Sequence, residues 1–312
     1  MPGLPSLFFV ANRSASHGKA ESYWLGLEVV LKRKQWPYSI VWTVSKNDTQ
    51  DIVRHAMEQK PDMIISFGGD GTAHSVIQSV YTFRSLSPDT LFTVFPVGTG
   101  NDWVRYWKIP HKIEPWLDMI KAFRAYDHDL GQVEYTSDEG TLKTEYFNNV
   151  AGMAYDAYVA DYIESKKKKM SVGGIQYLYF IFRCLFGYKL QASQIKWKGG
   201  DYEDKFYTIN VGICPYSGGG IQIVPHALPD DGLLAVTAIK PLNKIQVLMI
   251  SPHFYSGKLN EHKKAISFQT EELYVRPVDM NEIIKLEAEG EYLGRLPARF
   301  NIIRKALKIC AP

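Results

Sequence analysis

The stretch from Ser66 to Thr72, Ser-Phe-Gly-Gly-Asp-Gly-Thr, constrains the fold of this chain more than any other part of the sequence. It follows the apolar run from Asp62 to Ile65, which is typical of a buried strand, and residues 73–81 can continue as a helix. Three glycines let the backbone adopt positive φ and bring its N–H groups close to a ligand, and the helix adds the positive end of its dipole. Such a turn suits a phosphate group.

The carboxylate of Asp70 narrows this interpretation. A carboxylate inside an anion-binding turn repels phosphate unless a cation or a transferable proton lies between them, so Asp70 indicates Mg²⁺-nucleotide chemistry. No lysine follows the glycines, so the turn is not a Walker-type loop. The glycines alone would be equally typical of a tight turn that binds nothing.

A second turn repeats the pattern. Residues 96–103, Pro-Val-Gly-Thr-Gly-Asn-Asp-Trp, follow the apolar run from Leu91 to Phe95 and combine glycines with the hydroxyl of Thr99 and the carboxylate of Asp102. Two glycine turns that each carry an aspartate after a buried strand are hard to explain by turn chemistry alone. A purely structural turn is therefore the weaker alternative.

The first half of the chain alternates strands and helices. Strand patterns at 7–10 and 38–44 alternate with helical patterns at 21–34 and 48–59, which predicts a doubly wound parallel sheet. Ligands of such sheets gather beyond the carboxyl ends of the strands, where Asn12, Thr43 and both glycine turns are expected to lie. Asn12 either contacts the nucleotide or caps its own turn, and the sequence does not separate these alternatives.

The pattern changes near residue 130. Beyond it, β-rich segments with polar turns predict an antiparallel sandwich or open barrel, with one hairpin formed by strands at 189–197 and 205–214. We expect an α/β nucleotide-binding domain at 1–130 and a β-sandwich-like domain at 131–295. The strand-like segment at 296–312 can return to the first domain.

Composition excludes several classes of protein. A chain of 312 residues with 46% hydrophobic and 22% charged residues is typical of a globular protein with about two domains. The net charge of +3 is too close to zero to indicate a nucleic-acid binder. Three scattered cysteines and the lack of a signal-peptide pattern favour reduced thiols and a cytoplasmic location.

One segment suggests a membrane. The four lysines at 166–169 precede an apolar, aromatic helical pattern at 175–186, which is too short and too interrupted to span a bilayer. The segment either docks on the anionic inner face of the membrane or is a solvated charge run beside a core helix. The sequence leaves open whether the chain forms a homodimer.

Gly68–Thr72 and Pro96–Asp102 together resemble the diacylglycerol kinase catalytic-domain family, in particular its soluble bacterial lipid kinases. The first motif is shared with NAD kinases and phosphofructokinases, whereas Gly-Thr-Gly-Asn-Asp is more specific. Asn12 and Gly18 look like the family's first turn, 227–233 like its Ala-x-x-x-Asp-Asp-Gly segment, and 289–291 like its Asp-Gly-Glu segment.

The resemblance implies an α/β nucleotide domain with a β-sandwich-like lipid-substrate domain, an active site in the cleft between them, and ATP-dependent phosphorylation of a lipid hydroxyl at the membrane surface. It assigns Glu291 as the general base and Asp70, Asp102 and Asp129 to a network that holds catalytic Mg²⁺. It assigns a structural Mg²⁺ to the Leu228 and Leu233 carbonyls with the Asp231 carboxylate. The residues expected to bind the nucleotide are Asn12, Thr43, Gly68, Gly69, Asp70, Gly71, Thr72, His74, Gly98, Thr99 and Asn101.

The sequence departs from the family pattern at three places. His74-Ser75 stand where the family has Asn-Glu, Glu289 stands for Asp, and Arg13 stands where the family's first turn has Pro. The main hypothesis is a lipid kinase that phosphorylates a diacylglycerol-like or sphingoid alcohol. The alternatives are a kinase of a soluble substrate such as NAD, and a nucleotide-binding regulatory module without turnover.

Overall fold

The computed structural model describes residues 3–45, 48–98, 100–167, 180 and 183–312. The chain forms two compact units. Unit 1 comprises Met1–Asp129 and Arg304–Pro312, and unit 2 comprises Leu130–Ile303. Within the described ranges, the longest apolar helices fall short of what crossing a bilayer requires.

Unit 1 alternates strands and helices as predicted. Its elements are β1 (Leu7–Asn12), α1 (Ala15–Gly18), α2 (Ala20–Arg33), β2 (Tyr38–Thr43), α3 (Asp48–Glu58), β3 (Met63–Gly68), α4 (Asp70–Phe83), a short 3₁₀ turn (Arg84–Leu86), β4 (Leu91–Pro96), α5 (Asp102–Trp107) and α6 (Ile113–Ala122).

The sheet of unit 1 is parallel and runs in the order β2-β1-β3-β4. The last strand of the chain, β17 (Glu291–Cys310), adds its final residues beside β4, where Ile309 pairs with Phe92. This is the doubly wound order 2-1-3-4-5, whose switch point lies between β1 and β3. The predicted fold class is confirmed, and the C-terminal strand belongs to unit 1 from residue 304.

Aromatic packing fixes the core of this sheet. β3 and β4 are buried along their whole length, as expected of central parallel strands. Trp116 of α6 packs on Phe9 and Phe95, with ring centroids 6.2 and 5.2 Å away, and its indole N–H donates to the Val94 carbonyl at 2.9 Å. The strand ends that carry the glycine turns therefore rest on a rigid base.

Unit 2 is mainly antiparallel. Its elements are β5 (Ala125–Thr136, which starts in unit 1), β6 (Leu142–Phe147), β7 (Val150–Ala154), α7 (Tyr155–Lys167), α8 (residues 183–187), β8 (Gln191–Trp197), β9 (Gly200–Phe206), β10 (Thr208–Gly212), β11 (Tyr216–Ser217), β12 (Ile221–Gln222), β13 (Leu234–Ile239), α9 (Lys244–Ser256), a 3₁₀ turn (Leu259–Glu261), β14 (Ala265–Thr270), β15 (Glu272–Pro277), β16 (Lys285–Ala288) and β17.

Two groups of strands share β17. One runs β14-β13-β10-β7-β16-β17, and the other runs β9-β8-β15-β17, with β5 and β6 paired to each other. Inward-facing side chains of both groups form one apolar cluster that includes Phe147, Met153, Phe206 and Phe300. This is the predicted β-sandwich-like architecture.

Local predictions in unit 2 were partly wrong. The hairpin after β8 turns at residues 198–199, because Gly200 already pairs with Trp197, so its second strand is β9 rather than 205–214. Helix α9 was missed because its apolar residues follow no simple period, although Asn243 and Gln246 form a capping box that marks its start. Half of the lysine run at 166–169 and most of the segment at 175–186 lie outside the described residues.

Candidate active site

The end of β1 is tied to the start of α4 through one amide side chain. Asn12 accepts the backbone N–H of Ser14 at 2.9 Å and donates to the hydroxyl of Thr72 at 3.2 Å. Asn12 therefore caps its own turn, as one of the two alternatives expected, and it also contacts the glycine turn that follows β3. Its contact with a nucleotide stays a prediction.

The first glycine turn places a helix N-terminus at the sheet edge. Gly69 is the N-cap of α4 and has an extended backbone. Because glycine has no side chain, the cap residue offers no side-chain acceptor to the N–H groups of the first turn. The hydroxyl of Ser75 donates to the Gly71 carbonyl at 3.0 Å and stiffens this turn. A helix that begins in this way presents donors and positive potential to an anion.

The second glycine turn lies directly against the first. A methyl group on Gly98 would come within 2.5 Å of the Gly69 Cα atom, and one on Gly100 within 2.6 Å of the Asp70 carboxylate oxygen Oδ2. The Val97 N–H also donates to the Gly68 carbonyl at 3.1 Å. Glycine is needed at 98 and 100 because any side chain would separate the two turns.

The two aspartates of these turns are neighbours. The backbone N–H of Asp102, the first residue of α5, donates to Asp70 Oδ1 at 2.8 Å, and Asp102 is buried. Asn101 adopts the left-handed conformation that asparagine tolerates, and its amide donates to the Gly98 carbonyl at 2.7 Å. Asn101 therefore braces the second turn.

A cavity of about 520 Å³ opens where β1, β2 and β3 end. Its volume is within the usual range for small-molecule sites. It is lined by Asn12, Ser14, Ala15, Ser16, Thr43, Val44, Ser45, Thr49, Gly69, Asp70, Gly71, Thr72, Ser75, Gly98 and Gly100. Hydroxyls, backbone amides and a single carboxylate thus dominate the part of the wall that the structure describes.

Most of the predicted nucleotide residues line this cavity. The structure places Asn12, Thr43, the segment from Gly69 to Thr72 and Gly98 on its wall. Gly68 and Asn101 lie beside it and shape the turns, and Thr99 is outside the described residues. Sequence reasoning missed the hydroxyls of Ser14, Ser16, Ser45 and Thr49, although they follow the carboxyl ends of β1 and β2, where polar small residues were the available signal.

His74 is not where the sequence placed it. Its side chain is buried on α4 and hydrogen-bonds to the Gln78 amide at 2.6 Å, whereas the neighbouring Ser75 lines the cavity. The reason is helical phase, since each residue advances about 100° around the axis. His74 is absent from the described cavity wall, so its contact with the nucleotide stays a prediction.

Asp129 is hydrogen-bonded to the backbone of the C-terminal strand, β17. It is buried, and its Oδ1 accepts the backbone N–H of Lys305 at 2.6 Å. Next to it, buried His128 accepts the Trp103 indole N–H at 2.9 Å, and burial lowers the pKa of His128 to about 4. Asp129 is absent from the described cavity wall, so its role in a metal network stays a prediction.

The predicted base lies on a tight hairpin of unit 2. Glu289 and Gly290 both have positive φ and connect β16 to β17, which begins at the exposed Glu291. The Glu289 carboxylate accepts the backbone N–H groups of Asn148 and Asn149 at 2.8 and 2.6 Å, and the Asn149 amide at 2.9 Å. The residue that replaces the family's Asp thus anchors this hairpin.

Sequence reasoning missed two carboxyl groups near the hairpin, those of buried Glu287 and half-buried Asp156. Glu287 accepts the Gly290 N–H at 2.7 Å, and Asp156 accepts the Thr208 hydroxyl at 2.6 Å. Burial and the nearby Asp156 charge raise the pKa of Glu287 well above its usual value, and burial also raises that of Asp156. No sequence pattern marked them, since they lie on separate elements.

The turn predicted to hold structural Mg²⁺ is closed by hydrogen bonds. Asp231 accepts the Leu233 N–H at 2.9 Å and the Gln269 amide at 2.7 Å, and Leu228 is exposed. In the part of the chain that the structure describes, groups of three or more His, Cys, Asp or Glu side chains suited to a metal are not found. The site at Leu228, Asp231 and Leu233 stays a prediction.

The donor set of the main cavity fits a metal-bound nucleotide better. A helix N-terminus and backbone amides suit phosphate oxygens. Asp70 on the wall, and Asp102, whose backbone N–H donates to it, carry carboxylate oxygens of the kind that would suit Mg²⁺. The Asp70 carboxylate at the mouth of an anion site would otherwise repel the phosphates.

A parallel 2-1-3-4-5 sheet with paired glycine turns in one unit and a β-sandwich-like second unit are the features of an NAD kinase-like fold. The chain belongs to the diacylglycerol kinase family, whose catalytic-domain and C-terminal models together match most of it. Residues 6–133 match the diacylglycerol kinase catalytic domain, and residues 149–311 match the YegS C-terminal NAD kinase beta sandwich-like domain.

Individual proteins agree with this assignment. Diacylglycerol kinases of two Staphylococcus aureus strains, bovine RF122 / ET3-1 and JH9, are each 25% identical to the chain over 284 residues, covering 91% of this chain and 85% of theirs. A crystal structure of a diacylglycerol kinase from Bacillus anthracis has a TM-score of 0.71 at 17% identity and covers 100% of this chain and 98% of its own, which shows the shared fold.

Proposed function

We propose that this protein is an ATP-dependent lipid kinase that phosphorylates the hydroxyl of a diacylglycerol-like or sphingoid lipid. The observation that carries the proposal is the contact of the two glycine turns, which brings Asp70 next to the Asp102 N–H at the rim of the cavity. Membership of a kinase family implies ATP as the phosphoryl donor.

The first unit supplies the nucleotide end of the reaction. The first turn of α4 and the hydroxyls along the ends of β1 and β2 bind and orient the triphosphate. Asp70 and Asp102 would hold Mg²⁺, which, when bound, supplies charge neutralisation at the phosphates. Both are the first residues of helices, α4 and α5, that follow buried strands, so their backbone is held in place during the reaction.

The acceptor end of the reaction needs a base. In the proposal Glu291 takes the proton of the lipid hydroxyl. The hydroxyl oxygen of the lipid forms a bond to the γ-phosphorus of ATP, while the bond from that phosphorus to the ADP oxygen breaks. Glu291 is exposed at the start of β17, on a hairpin anchored by Glu289. The anchored hairpin holds the backbone of Glu291 in place.

A lipid acceptor is favoured over a soluble one by the relatives named diacylglycerol kinase and by the second glycine turn, whose sequence is the more specific to lipid kinases. The test is ADP release from ATP and Mg²⁺ with vesicle-presented diacylglycerol, vesicle-presented ceramide or free NAD, run in parallel. The Asp70→Asn variant serves as the blank.

The proposal expects lipid-dependent ADP release that Asp70→Asn abolishes. Release with NAD alone would make the protein a kinase of a soluble substrate. ATP binding without release for any acceptor would make it a regulatory module, and either result would overturn the proposal.

A further inference from the structure

Helix α9 carries an apolar surface that faces solvent. Ile245, Met249 and Pro252 are spaced i, i+4 and i+7, so they form one stripe along the helix, and all three are exposed. Ile245 and Met249 are 69% and 72% exposed. A solvent-facing helix stripe is normally polar, so this stripe is an exception that calls for a partner.

The opposite side of α9 already has its partner. Ile250 is buried in an apolar cluster of unit 2, and Val247 and Phe254 pack against the same cluster. These residues lie about 180° around the helix from the exposed stripe. The helix is therefore apolar on both sides, and the stripe is left over after the protein's own core is satisfied.

The stripe continues onto α8. Phe186 is 67% exposed, and the Lys244 ammonium lies 4.3 Å from the centre of its ring. Lysine, phenylalanine, isoleucine and methionine thus form one patch, which we call the α9 patch: Phe186, Lys244, Ile245, Met249 and Pro252.

The two chain segments that carry the α9 patch contain basic but no acidic residues. Residues 232–260 and 165–200 contain no aspartate or glutamate. Arg183 and Lys189 flank Phe186 and are exposed, and Lys258 follows the end of α9 and is also exposed. Apolar side chains surrounded by basic ones complement an anionic lipid surface, where the former enter the interface and the latter meet the headgroups.

We propose that the α9 patch docks this protein on anionic membranes. The inference deepens the proposed function and rests on it, because a lipid acceptor has to be reached at a bilayer surface. Ile245, Met249 and Phe186 enter the headgroup boundary, and Lys244, Arg183 and Lys189 bind lipid phosphates.

Helix α2 provides a matched control. Leu25 and Val29 have the same i, i+4 spacing, and they are 62% and 66% exposed. Their helix carries Glu21 and Glu28 as well as Lys32 and Arg33, so its charges have both signs, unlike those of the segments that carry the α9 patch. If apolar exposure alone were enough, both pairs would bind lipid. The proposal predicts that only Ile245 and Met249 bind it.

The experiment is flotation of the full chain with vesicles of phosphatidylcholine alone or mixed with phosphatidylglycerol, without ATP and without an acceptor lipid. We expect the wild-type protein to float with the anionic vesicles only. Ile245→Ser with Met249→Ser should lower the partition constant of the protein onto anionic vesicles about tenfold or more, and Lys244→Gln should lower it about fivefold. Leu25→Ser with Val29→Ser should leave this constant unchanged. Thermal unfolding checks that each variant folds.

Three results would overturn the inference. The first is a wild-type protein that does not bind anionic vesicles, and the second is an equal loss of vesicle binding in the α2 and α9 variants. The third is a wild-type dimer that the α9 variant converts to monomer, which would identify a second copy of the chain as the occupant of the patch. Since the assay contains no phosphoryl donor, binding without any kinase activity would refute the proposed function and leave this inference standing.

Discussion

Replacing Gly98 by alanine tests the contact between the two glycine turns. The new methyl group would lie 2.5 Å from the Gly69 Cα and 2.9 Å from the Asn101 amide oxygen. The Gly98 φ is not in the left-handed region, so the effect comes from crowding alone. Backbone cannot rotate away as a side-chain tip can, so the turns must separate by about 1 Å, at a cost of about 1–3 kcal/mol.

The functional loss should be larger than the loss of stability. A displacement of about 1 Å at a positioned reacting group can reduce catalysis about 100-fold. We therefore expect Gly98→Ala to unfold at lower urea concentration and to lose about 100-fold in kcat/KM for ATP-dependent ADP release with the accepted lipid.

Gly26→Ala is the matched control. Gly26 lies inside α2, where a methyl group would meet only the Ile113 Cδ1 atom at an ordinary 3.9 Å. Alanine is the better helix former, so this variant should gain about 0.5–1 kcal/mol and keep full activity. Wild-type stability and activity in Gly98→Ala would refute the idea that the two turns need this close approach.

Two further predictions concern the hairpin of unit 2. Because the folded-state pKa of Glu287 is raised above its unfolded value, the folded state holds that proton to higher pH, and stability falls as pH rises above about 4.5. Glu287→Gln removes this titration, so urea denaturation at pH 5 and pH 8 should show a smaller difference for the variant; an unchanged difference would contradict the raised pKa. Glu289→Ala removes the acceptor for Asn148 and Asn149 and should cost about 2–4 kcal/mol, measured by the same unfolding at pH 7, whereas a cost below about 1 kcal/mol would show that the carboxylate does not anchor the hairpin.

The glycine turns could be predicted because their chemistry is local. Glycines and an aspartate directly after a buried strand indicate the turn, the helix N-terminus and the class of ligand without knowledge of distant residues. Parallel topology then brings strand ends together, which predicted that Asn12 and Thr43 would share the edge with Asp70.

What the sequence could not provide depends on phase and on long-range packing. His74 and Ser75 are adjacent in sequence, and only the rotation of α4 against its sheet decides that the serine borders the cavity. Glu287 and Asp156 come from a strand and a helix that are far apart in the chain. Only the folded structure brings the two carboxyl groups close enough to affect each other. Helix α9 was hidden because both of its sides are apolar.

The most direct test of the central claim is the Mg²⁺ dependence of ATP affinity, measured by calorimetry in Mg²⁺ and in EDTA for the wild type and for Asp70→Asn. If the paired turns hold a metal-bound triphosphate, the wild type binds ATP far more tightly with Mg²⁺ than without it. Asp70→Asn should then reduce the ratio of ATP affinity in Mg²⁺ to that in EDTA. It removes a metal ligand, which weakens binding in Mg²⁺, and it removes a charge that repels the phosphates, which strengthens binding in EDTA. An equal ratio in the two proteins would contradict the account.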